Sequence, residues 1–90
     1  MADDSLSFVN LMMLIGTMTT RRLEQAARDG GESRNEQLHK GREYIDMLAS
    51  LKKRTTGRLT DDEARIMDTL IKDLQTRYVK TLATRPPAPR

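Results

Sequence analysis

Phe8-Val9-Asn10-Leu11-Met12-Met13-Leu14-Ile15-Gly16-Thr17-Met18 decides how this chain folds, because nine of its eleven residues are apolar or glycine. An ordinary surface helix has an apolar stripe and a wet back, whereas a helix that is apolar all round needs cover on every side. Phe8, Leu11, Ile15 and Met18 follow the 3-4-3 spacing of one helical face, and Met12 and Leu14 spill onto its flanks. These six residues are the expected oligomer interface. The remaining helices must wrap this one, or a second copy of the protein must.

Composition points the same way. Ninety residues support one domain, near the lower limit for a single core. With 37% apolar and 32% charged residues, the chain is lean for a monomer, and a second subunit is a natural source of buried area. Phe8, Tyr44 and Tyr78 are the whole aromatic complement, too few for a stacking platform on single-stranded nucleic acid. The absence of cysteine excludes disulfides and thiolate metal sites and is compatible with a reducing cytoplasm. A signal peptide would want a basic start and a small-residue cleavage site, but Asp3 and Asp4 precede the apolar run. A membrane span would want about 20 apolar residues, and this run stops at Thr19-Thr20-Arg21-Arg22. No stable membrane insertion is expected.

Outward from the opening stretch, residues 1–6 read as a frayed lead and Ser7 as an N-cap, with a first helix over about 7–28. Gly16 lies inside it at a propensity cost of about 1 kcal/mol relative to alanine, which suggests close approach of another backbone. Asp29-Gly30-Gly31 ends the helix by a left-handed glycine cap. The second helix spans about 35–54, with Leu38, Gly41, Ile45 and Leu48 on one face. Thr55-Thr56-Gly57 turns the chain. Thr60-Asp61-Asp62-Glu63 then has the form of a capping box, in which Thr60 and Glu63 satisfy each other's backbone N–H groups. A third helix follows over about 61–84, with Met67, Leu70, Ile71, Leu74, Tyr78 and Leu82 on one face. The short link favours an antiparallel hairpin of the second and third helices. Pro86, Pro87 and Pro89 make residues 85–90 an extended, flexible tail. The fold expected is all-α: three helices in a single domain over residues 1–84, with the apolar first helix packed in an oligomeric bundle.

The second half of the chain carries a family resemblance. Gly41-Arg42-Glu43-Tyr44-Ile45-Asp46-Met47-Leu48, then Thr55, Gly57 and Leu59-Thr60, then Leu70, Leu74 and Arg77-Tyr78-Val79 resemble the small bacterial proteins grouped as domain of unknown function 1844. Ser7-Phe8 joins the pattern at the front, so that it covers about residues 7–80. The family typically reads Ala-Arg-x-x-Ile-Asp-x-Leu, Lys-Thr-Lys-Gly-Asn-Leu-Thr and Leu-Arg-x-x-Tyr-Val. This chain departs from it at Gly41, Thr56, Arg58 and Gln75. The resemblance implies an all-helical cytoplasmic bacterial protein and supplies no catalytic residue.

Chemistry is sparse. His39 is the one histidine, with no cysteine or second histidine to complete a metal set, and is expected at the surface. No serine stands in a nucleophile-elbow context, no glycine-rich phosphate loop is present, and capping accounts for the acids at 61–63. The chain is expected not to be an enzyme and to need no cofactor or metal. Asp46 borders the core face of its helix, and an acid there wants a cation; Arg42, one turn away, and Arg77 on the neighbouring helix are the expected partners in a structural ion pair.

The charge is uneven: residues 1–51 hold six Lys/Arg against eight acids, and residues 52–90 hold ten against five. Lys52, Lys53, Arg54 and Arg58 at the turn form the one basic cluster able to contact phosphates. The leading functional expectation is a structural or protein-interaction role as a homo-oligomer, a dimer being favoured, with an unknown protein partner. A weak nucleic-acid- or ribosome-associated role at the basic turn is the alternative.

Overall fold

The computed structural model describes residues 2–84, with side chains from Ser7 to Thr84, and over that range the chain forms three helices. These are α1 (Ala2–Arg28), α2 (Gly31–Arg54) and α3 (Asp61–Ala83). The molecule is elongated, measuring 55 × 19 × 16 Å. The proline-rich segment 85–90 lies outside the described residues.

Two helix starts differ from expectation. Ser7 is not an N-cap, because α1 already begins at Ala2 and no glycine or proline interrupts the chain between them. Likewise α2 begins at Gly31 rather than near Asn35. Gly30 is its extended N-cap residue, and the left-handed glycine is Gly31, at φ 59°. Glu32 in the first turn suits the positive end of the helix dipole. Asp29 fastens the corner by accepting from Gln25 (2.9 Å) and Ser33 (2.6 Å). Those two donors, Ser33 foremost, hold its carboxyl below the usual carboxylate range.

At the other corner, the Arg58 N–H donates to the Thr55 carbonyl at 2.9 Å, and Gly57 takes φ 82°. This is a β-turn whose third position requires a positive φ, and glycine adopts it without strain. Thr60 and Glu63 form both halves of the capping box. The Glu63 N–H donates to Thr60 Oγ1 at 3.1 Å, and the Thr60 N–H donates to Glu63 Oε1 at 2.9 Å. Leu59, just before the cap, packs against the core.

The core has two parts. Met12, Ile45, Leu48, Met67, Ile71 and Leu74 form the larger, and Leu23, Ala26 and Leu38 form the smaller. Tyr78 packs against both. Thr19 is fully buried, and its hydroxyl donates to the Ile15 carbonyl at 2.7 Å, so its polar atom is not stranded. Gly16 does mark a close approach, but of a side chain rather than a backbone: a Cβ there would stand 3.0 Å from Leu70 Cδ1.

Candidate interaction surface

The six residues expected at an oligomer interface divide in three ways. Met12 is fully buried in the core of its own chain, facing α2 and α3, and is therefore removed from that set. The reason is rotational: Met12 lies one turn before Gly16, whose side of α1 meets Leu70, so the helix turns this flank inward. Phe8 and Ile15 are half-buried and pack against the same core, and Met18 is half-buried beside Tyr44, Arg22 and Gln37. Leu11 and Leu14 remain open, at 46% and 56% exposure, and Met13 joins them at 51%. Two helices thus cover one side of α1 and leave the other side largely bare.

A groove lies between α1 and α3 at the Met13 edge of that bare side. Met13, Ile66 and Leu70 supply its apolar wall, and Arg65, Thr69 and Asp73 its rim. Ile66 is itself 37% exposed. Ile66 lies off the apolar stripe of α3 and faces the open groove.

The expected ion pair does not form as drawn. Asp46 and Arg42 are both exposed, and Arg77 pairs instead with Asp73 on its own helix, Nε to Oδ2 at 3.1 Å. Asp46 escapes the core because its position is rotated from Ile45 to the wet side of α2, where water solvates the carboxylate and no cation is required. An ion pair between helices joins Lys52 to Asp68. A hydrogen bond from Lys52 is the largest cause that holds the Asp68 carboxyl below its ordinary value, against a smaller opposing effect of desolvation.

Arg34 is the positioned polar residue that sequence reading missed. Its guanidinium donates to the carbonyls of Thr81 (2.8 Å) and Thr84 (3.0 Å) at the end of α3, and to Ala26 (3.3 Å) near the end of α1. Helix C-termini leave carbonyls without intrahelical partners, and one cation here serves two of them. No local motif marks such a residue, since its partners lie as far as 50 positions along the chain.

At the α2–α3 turn, Lys53, Arg54 and Arg58 are exposed, while Lys52 is engaged by Asp68. His39 is at the surface, with Nε2 2.8 Å from Glu43 Oε1. Among the described residues no group of His, Cys, Asp or Glu is placed to hold a metal ion, and no helix is long and apolar enough to cross a membrane. Among the described residues, open grooves lie between α1 and α2 at Met18, Arg22 and Tyr44, and between α1 and α3 at Met13 and Leu70.

Neither the curated proteins nor the solved structures contain a match to this chain. A family match is present, and it spans all three helices, from the start of α1 to the last turns of α3. Over residues 5–80 the sequence matches the family described as Domain of unknown function (DUF1844), and the chain belongs to that family.

Proposed function

We propose that this protein is a non-catalytic structural or protein-interaction subunit that works as a homo-oligomer, most simply a dimer. One observation carries the reading: Leu11, Met13 and Leu14 stand about half exposed on a single helix of a 90-residue chain. Leu11 and Leu14 are neighbours one turn apart on α1, and exposed apolar surface of this kind suits an interaction site in a small protein. Full burial of a large apolar side chain contributes about 1.5–3 kcal/mol, so several together drive association. In this reading residues 1–84 act as one domain, and α2 and α3 form an antiparallel hairpin with α1 laid on its seam. Lys52 with Asp68 at one end and Arg34 with Thr81 at the other support that arrangement. The resemblance to bacterial proteins and the lack of cysteine support a bacterial cytoplasmic setting.

Two differently tagged copies co-expressed in one cell test self-association. For a freely mixing dimer expressed at equal levels, capture of one is expected to retain the other at about half its amount. Recovery of each tagged copy alone would exclude a stable homo-oligomer.

A second reading has a narrower basis: Lys53, Arg54 and Arg58 stay exposed at the turn. They suit weak phosphate contact, and Asp61 and Asp62 beside them lower its strength. A gel shift at low salt with duplex, hairpin and single-stranded probes tests it, and no retardation of any probe excludes it.

A further inference from the structure

We infer that the groove between α1 and α3 is a self-complementary interface that takes a second copy of this chain about a two-fold axis passing close to Thr69. The inference rests on the self-association proposed above and identifies the surface that performs it. Arg65, Thr69 and Asp73 are spaced four apart and so lie along one face of α3. All three border the groove whose apolar wall is Met13, Ile66 and Leu70. Arg65 and Asp73 stand equal distances on either side of Thr69, and together span about 12 Å of helix.

That placement selects the occupant. In a two-fold interface the same patch meets itself, so each residue meets its mirror position on the other copy. An axis near Thr69 sets the two α3 helices antiparallel, with Arg65 of each copy opposite Asp73 of the other. An axis displaced by half a turn toward the C-terminus would instead set Arg65 against Arg77. The charges therefore fix both orientation and register, while the apolar wall supplies the burial. A groove with one sign of charge, or with charges unrelated to its midpoint, would have suited a different protein. Asp73 already receives Arg77 in its own chain, at 3.1 Å. A carboxylate has two oxygens and accepts more than one donor, so it can take a second guanidinium. Met13 borders the same groove as Ile66, Thr69 and Leu70, so Met13 of both copies adds apolar surface to the seam.

The test uses Arg65→Asp and Asp73→Arg as two separate full-length chains. Each alone places like charges opposite one another at both ends of the seam, and each is expected to self-associate about tenfold or more weakly than wild type. Mixed in equal amounts, the two variants become complementary, and a heterodimer of near wild-type affinity is expected. Circular dichroism and thermal melts of each variant establish that the fold is kept; both positions are exposed, so little loss is expected. As a second measurement, Thr69→Cys introduces the sole thiol of the chain, and a short bismaleimide should link two copies efficiently, whereas Ser50→Cys on α2 should not link. A wild-type dimer whose affinity ignores both charge reversals, or that links through Ser50→Cys instead, overturns this surface and leaves self-association standing. A wild-type monomer overturns both.

Discussion

Arg34 shows how much a single side chain does in a protein this thin. Its guanidinium gathers carbonyls from the ends of two helices, and charged hydrogen bonds of this type contribute more than neutral ones. Arg34→Ala is expected to cost about 1–3 kcal/mol in urea or thermal unfolding, the range for removal of a hydrogen-bonded charged partner. A midpoint equal to wild type would mean that water replaces the clasp at no loss. Asp46 makes the opposite case. It is exposed, and no ion pair holds it among the described residues. Asp46→Asn should therefore stay within about ±0.5 kcal/mol, as surface changes do; a larger loss would reveal a partner for the carboxylate. The difference between the two residues was not legible beforehand. An acid next to Ile45 suggested burial, but adjacent helical positions differ by about 100° in direction, and that rotation carries Asp46 into water.

Helix identity was legible where side chains signal to their own neighbourhood. The apolar face of α2, Leu38, Gly41, Ile45 and Leu48, is buried as its spacing predicts, and the cap of α3 stands at Thr60. Thr60→Ala should lower stability by about 1 kcal/mol, the usual loss of a capping hydroxyl; unchanged urea and thermal midpoints would show that the cap is energetically silent. Helix starts without a side-chain cap were less legible. Gly30 offers no side chain to α2, and α1 begins upstream of the serine that resembles a cap. The link between α2 and α3 through Lys52 and Asp68 also has a pH signature. The folded carboxyl titrates below its ordinary value of 3.8. Its contribution is thus complete above the unfolded value and is lost as pH falls through the lower, folded one. Acid unfolding of Asp68→Asn should accordingly show a shallower loss of stability below about pH 4 than wild type does. Identical acid profiles would mean that the pair does not contribute.

For the whole molecule, the decisive feature is a mismatch between the apolar surface of α1 and the cover available to it. The opening stretch announced that mismatch, because a third helix laid on a two-helix seam meets only part of its circumference. Which part stays bare depended on the rotation of α1, set by Gly16 against Leu70 and by Met12 turning inward, and no pattern within α1 encodes it. Met13 becomes part of a groove with a charge pattern only when Ile66 and Leu70 of α3 are laid beside it. Sedimentation equilibrium of the wild-type chain at micromolar concentration tests the account most directly. It predicts a reversible species of twice the 10.3 kDa chain mass, and a stable, folded species that remains at the single-chain mass throughout would contradict it.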